Sequence, residues 1–183
     1  MNRHLLTDTP QGNAGPDEML EIIRGLGFVQ LDSINTVARA HDLILFARKS
    51  GYKPDLLKTL YEQEKSLFEH WTHDAAVIPV EFYPYWQMRR ERDAIKLHKQ
   101  WKNWRQDRFE AQLQVVLDQV REQGPLSSSD VGKEEKRGSG GWWDWHPSKT
   151  ALEYLWRTGA LSVVGRDGFK KRYDLTERVL EEA

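Results

Sequence analysis

A helix-rich α+β fold is what this 183-residue sequence predicts, and three observations carry the prediction. Segments with apolar residues at helical spacing alternate with short apolar runs bounded by Gly, Pro, Asn and Asp. The order of these segments occurs twice along the chain. A hydrophobic share of 39% with 11% aromatics supplies a core for one ordinary domain or two small ones.

After a polar lead ending near Pro16, Asp17 is placed to cap a helix carrying Met19, Leu20, Ile22 and Ile23, stopped by Gly25 or Gly27. The run GFVQLDSIN (27–35) follows and reads as a short strand, on which a period of two sends Gln30 and Asp32 to the same face. Residues 39–49 (RAHDLILFARK) read as a helix, 50–54 as a turn and 55–65 (DLLKTLYEQEK) as a second helix. The runs 67–72 (LFEHWT) and 75–80 (AAVIPV), separated by His73 and Asp74, read as a hairpin. Strand, helices and hairpin in that order make a winged helix over 17–80.

The stretch 81–106 is rich in Trp and Arg and reads as one connecting helix. Its cations Arg89, Arg90, Arg92, Lys96, Lys99, Lys102 and Arg105, with Arg108 just beyond, fit two readings: a solvated face served by i,i+4 pairs, or a stripe that tracks phosphates. A second unit then spans 107–180. It comprises a helix over 107–123, a break at Gly124-Pro125, a Ser127-Ser128-Ser129-Asp130 cap for a short helix, and a candidate recognition helix over 146–158. The runs 160–165 and 169–175, joined through Arg166-Asp167-Gly168, close it as a hairpin. The low-complexity loop 132–141 reads as a surface excursion. The predicted architecture is thus two tandem winged-helix units.

With 27 Lys plus Arg against 28 Asp plus Glu, the net charge of -1 gives no global attraction to nucleic acid or membrane, so any electrostatic footprint is local. The absence of cysteine excludes disulfides, thiolate zinc sites and a cysteine nucleophile. No segment approaches the roughly 20 apolar residues of a membrane span and the N-terminus has no signal-peptide core, so a soluble cytoplasmic protein is expected.

Three clusters invite chemistry. EHWTHD (69–74) offers His70 and His73 with Glu69 and Asp74, but on a hairpin the two histidines face opposite ways, and no metal site or cofactor is expected. GWWDWH (141–146) offers aromatics that either staple the next helix to the core or stack on unpaired bases. Gln30 and Asp32 are either a wet strand face whose aspartate caps the next helix, or a pair that holds one water. Neither a glycine-rich phosphate loop nor a GxSxG elbow is present.

Taken together, GFVQLDSINTVARAHDLILFARKSGY (27–52), LFEHWTHDAAVIP (67–79), YPYW and MRR (83–90), GWWDWHPSKTALEYLWRTGAL (141–161) and GFKKRYDLTERVL (168–180) resemble, in order, the YcaQ-like or AlkX-like winged-helix DNA glycosylases. Members of that family act on alkylated bases and interstrand crosslinks through a glutamine, an apolar residue and an aspartate or second glutamine. Gln30-Leu31-Asp32 matches the aspartate version. The resemblance implies a monofunctional DNA glycosylase in which Asp32 stabilises an oxocarbenium-like sugar and helps activate or position water, while Gln30 orients that water. It further implies that Trp71 and His73 lie near the lesion and that Asn35, Arg39, His41, Arg48, Lys49 and Tyr52 belong to the DNA-facing surface.

The implied partner is duplex DNA carrying alkylated or crosslinked purines, bound by a monomer at the bacterial nucleoid. Relative to the family, the chain is expected to lack the C-terminal half, with its third winged helix and barrel-like region. A non-catalytic winged-helix DNA-binding module, or a shortened remnant of such a glycosylase, is the alternative. A protein-interaction scaffold using the aromatic surface is a third.

Overall fold

The structure is a computed structural model that describes residues 4–7, 12–105 (102–105 as backbone alone), 109–133, 135 and 146–180. It is α+β and winged-helix-like: helices with two small antiparallel sheets of three strands each. The chain divides into two compact units between Pro84 and Tyr85.

The first unit opens with α1, Pro16–Leu26. Its cap is Gly15 rather than the expected Asp17, because Pro16 at the first helical position has no N–H to satisfy and its ring presets the helical φ. Glu18 reaches back to accept the Gly15 N–H at 3.3 Å. Gly27, at φ 84°, ends the helix by donating to Ile23 and Arg24 carbonyls, a backbone conformation that side chains disfavour. Met19 and Ile23 are fully buried.

Strand β1 is only Val29–Gln30. Pairing reaches one residue further through the Leu31 N–H on the Ala75 carbonyl at 2.8 Å, and then the chain leaves the sheet. Asp32 therefore lies past the strand, and the expected alternation that would put it on the Gln30 face does not apply to it. Helix α2 is Ala40–Phe46, shorter than expected at both ends. Its last turn tightens as Arg48 and Lys49 both donate to the Leu45 carbonyl at 3.0 Å. Gly51 sits where a Cβ would come within 2.5 Å of the Gly12 carbonyl, so only glycine permits this approach of two backbones.

Helix α3, Pro54–Lys58, widens into a π-type turn over Thr59–Gln63, closed by the Glu64 N–H on Thr59 O at 3.0 Å. The strands β2, Leu67–Trp71, and β3, Ala75–Pro79, then form the hairpin. Its turn is Thr72-His73-Asp74, in which the Thr72 N–H and hydroxyl both donate to the Asp74 carbonyl and the Asp74 carboxylate accepts the Ala75 N–H. The sheet order is β1-β3-β2, so β3 is central and is buried along its whole length.

In the second unit, a 3-10 turn ending at Trp86 leads into α4, Gln87–Arg105. This helix packs on α6, Pro147–Thr158. Arg157 places two nitrogens on the Asp93 carboxylate at 2.7 and 3.1 Å, and both side chains are nearly buried. Breaking one partner of such a pair costs about 3–5 kcal/mol. Leu97, Trp101 and Phe109 form a hydrophobic core cluster with Leu113 and Tyr154 packed against it.

Helix α5 is Glu110–Gln123, and the earlier start expected for it lies outside the described residues. Among the described residues, the 127–130 serine run caps no helix. Strand β4, Leu126–Ser127, is followed by a turn in which the Asp130 carboxylate accepts the Ser127 N–H and hydroxyl at 2.9 and 2.7 Å. These local bonds satisfy the polar groups that a helix start would have left open. Strands β5, Leu161–Asp167, and β6, Lys170–Leu175, form the closing hairpin around Gly168 at φ 60°, followed by α7, Thr176–Val179. The order β4-β6-β5 repeats that of the first sheet.

Candidate active site

The register of the first sheet places the segments of interest at one end. Val29 opposes Val77 and Gln30 opposes Ala76, while Ala76 opposes His70 and Ala75 opposes Trp71. Paired residues share a face and neighbours along a strand alternate. Gln30, Ala76 and His70 thus form one row on one face, and Trp71 points to the other. With strands roughly 5 Å apart, the Gln30 and His70 backbones are about 10 Å apart across the small Ala76. Gln30 is exposed, whereas His70 is 2% exposed.

Because β1 runs antiparallel to β3, the chain leaves at Leu31 beside the hairpin turn. Gln30, Asp32, Trp71 and the exposed His73 therefore gather at the same end of the sheet.

Asp32 is held from both sides of its Cα. Its backbone N–H donates to His41 Nδ1 at 3.0 Å, and its carboxylate Oδ1 accepts the Ile34 N–H at 2.9 Å. The second bond is an Asx-type turn, which fixes the carboxylate to its own loop instead of capping α2. The cap position of α2 is Arg39, half-buried, whose carbonyl accepts the Leu43 N–H. One Asp32 oxygen is committed to Ile34, and the side chain is partly exposed. The arrangement presents an oriented carboxylate to solvent.

His41 is 5% exposed. As an acceptor at Nδ1 it carries its proton on Nε2, which faces Asp42 Oδ1 at 3.9 Å. The same Asp42 oxygen accepts the Tyr52 hydroxyl at 2.7 Å. Burial, and then the Asp42 carboxylate, push the Tyr52 phenol far above its ordinary range, so it stays a donor. Tyr52 is 6% exposed. A chain Asp32–His41–Asp42–Tyr52 thus ties the loop to the interior of the unit.

The remaining residues singled out from the sequence sit as follows. Asn35 is exposed in the loop. Arg48 is half-buried, donates to the Ile44 carbonyl at 2.6 Å, and has its guanidinium shifted down by burial. Lys49 pairs with Glu18 at 3.0 Å. In β2, Glu69 is 2% exposed and accepts the Tyr61 hydroxyl at 3.1 Å. Trp142, Trp143 and Trp145 lie outside the described residues. The anchoring of Asp32 by His41 is not among the expectations drawn from the sequence, although two signals point to it: a D-x-I spacing suited to an Asx turn, and a His-Asp pair opening the next helix.

No helix among the described residues is long and apolar enough to cross a membrane. A family model described as DNA glycosylase AlkZ-like matches residues 23–183. No solved structure matches the chain.

Proposed function

Since the chain belongs to the AlkZ-like DNA glycosylase family, we propose that it hydrolyses the N-glycosidic bond of alkylated or crosslinked purines in duplex DNA, using Asp32 and Gln30. The observation that carries this reading is the Asp32 carboxylate, oriented by Ile34 and by His41 beside the exposed Gln30.

The chemistry asks little of the protein. A purine alkylated at a ring nitrogen is already cationic, so it leaves with the bonding electron pair and is neutralised without a general acid. The positive charge moves to the sugar, where a carboxylate is worth several kcal/mol in a site with little water. A water held between Gln30 and Asp32 adds to C1′, and its proton passes to Asp32 and then to solvent. The products are a free base and an abasic site.

Both units act as winged helices in this reading, and a monomer binds DNA. Asn35, Arg39, Arg48, Lys49, Trp71 and His73 approach the duplex, while the buried His41 and Tyr52 hold the Asp32 loop. Arg48 and Lys49 are already engaged with Ile44 and Glu18, so their phosphate contacts compete with those bonds. Repair in the bacterial cytoplasm is the proposed setting.

Incubation with an N-methylated duplex, followed by chromatography of the supernatant, tests the reaction class. Release of free methylated base, with abasic sites appearing in equal amount, is the expected result. Salt-dependent binding with no base released would mean a non-catalytic DNA-binding module instead.

A further inference from the structure

Of the thirteen large hydrophobic side chains exposed among the described residues, six fall between positions 28 and 46: Phe28, Ile34, Val37, Leu43, Ile44 and Phe46. Two of them, Ile34 at 68% and Val37 at 91% exposure, lie in the loop that carries Asp32. Exposing an isoleucine and a valine to this degree forgoes the stabilisation that burying them would bring. Between them stand only small polar residues, Asn35 and Thr36, both exposed.

What distinguishes Ile34 from other exposed apolar residues is its tie to the proposed chemistry. Its N–H is the donor to the Asp32 carboxylate at 2.9 Å, which couples its backbone to the carboxylate. Asp32 is in turn held by His41. An apolar tip set at a fixed offset from the reacting carboxylate suits an occupant that must itself be positioned against that carboxylate. The exposed Leu43 and Phe46 on α2 have no such tie, and nothing in the structure shows what covers them.

We infer that Ile34 and Val37 form a wedge that enters the base stack of duplex DNA beside the lesion, unstacking the damaged nucleotide and bringing its C1′ to Asp32. This deepens the proposed glycosylase reading and rests on it. Branched apolar side chains are the type used to part base steps, and the energy of unstacking is offset by contacts the parted duplex permits. The polar Ser33, Asn35 and Thr36 around the tip suit the sugar and phosphate edges of the opened step.

The test uses a duplex oligonucleotide with one N7-methylguanine and 2-aminopurine as its neighbour, whose fluorescence rises on unstacking. The full chain bearing Asp32→Asn should raise the fluorescence on binding, and adding Ile34→Ser with Val37→Ser should abolish the rise. In the otherwise unaltered chain, the same two changes should lower the rate of base release from duplex by about tenfold, and by a smaller factor from single-stranded alkylated DNA, which has no base stack to part. Ile34→Met, which keeps an apolar tip, should retain both the fluorescence rise and duplex cleavage.

Equal fluorescence and equal duplex cleavage with the two serines would overturn the wedge. So would unchanged fluorescence accompanied by loss of a concentration-dependent self-association, which would make the tip a protein contact. If no chain releases base, the glycosylase reading falls, while the fluorescence arm still decides whether the tip enters DNA.

Discussion

The Asp32 backbone N–H and His41 Nδ1 lie 3.0 Å apart, so a buried imidazole from the start of α2 fixes the loop that presents the Asp32 carboxylate. His41→Ala leaves that N–H without its acceptor. The expected cost is about 1–3 kcal/mol of stability in urea titration, with base release slowed more than DNA binding is weakened. His41→Asn, which restores a carbonyl acceptor, should recover part of the rate. A purely structural role would leave the ratio of rate to affinity unchanged.

Tyr52 gives a pH signature. Its phenol is held protonated in the fold by burial and by Asp42, while in the unfolded chain it ionises near the ordinary 10.0. A group whose folded pKa is raised contributes stability below its unfolded pKa and loses it as pH rises beyond. Tyr52→Phe should therefore cost about 1 kcal/mol near neutrality, and this deficit should shrink as pH climbs above 10. Thermal unfolding of both proteins from neutral to alkaline pH measures it, and a deficit that stays constant would refute the assignment.

Gln30 tests the water-orienting role apart from stability. Its side chain is exposed at a strand end, so Gln30→Ala should shift stability by no more than about 0.5 kcal/mol. Base release should nevertheless fall by about 10²-fold. Single-turnover kinetics with saturating protein isolates that step from binding. An unaltered rate would leave Asp32 without the proposed partner.

The contrast between what was legible in the sequence and what was not follows from the range of each interaction. Helices α1, α5 and α6 and both hairpins announce themselves by periodicity and by Gly and Pro at their ends, because those signals are local. The segment AHDLILF does not reveal which face is buried. It is apolar nearly all round, and the structure buries His41 and Leu45 while exposing Leu43 and Phe46.

Strand length was likewise hidden. GFVQLDSIN reads as a strand through Asp32, yet pairing partners run out at Ala75, where the hairpin turns. The burial of Tyr52 depends on Asp42, ten residues earlier, and that of Asp93 on Arg157, sixty-four residues later. Such partners are set by packing and leave no pattern at either position. The juxtaposition of QLD with the HWTHD turn is a consequence of sheet register, which no spacing within either segment encodes.

Glycosidic cleavage, as proposed, depends on the Asp32 carboxylate. Asp32→Asn preserves size and can still accept the Ile34 N–H, so fold and DNA binding should be retained. Alkylated duplex incubated with each protein and then heated in alkali reports abasic sites as strand breaks. Asp32→Asn should bind the duplex as the original chain does but generate breaks about 10²–10³-fold more slowly; equal break formation by the two proteins would contradict a catalytic Asp32.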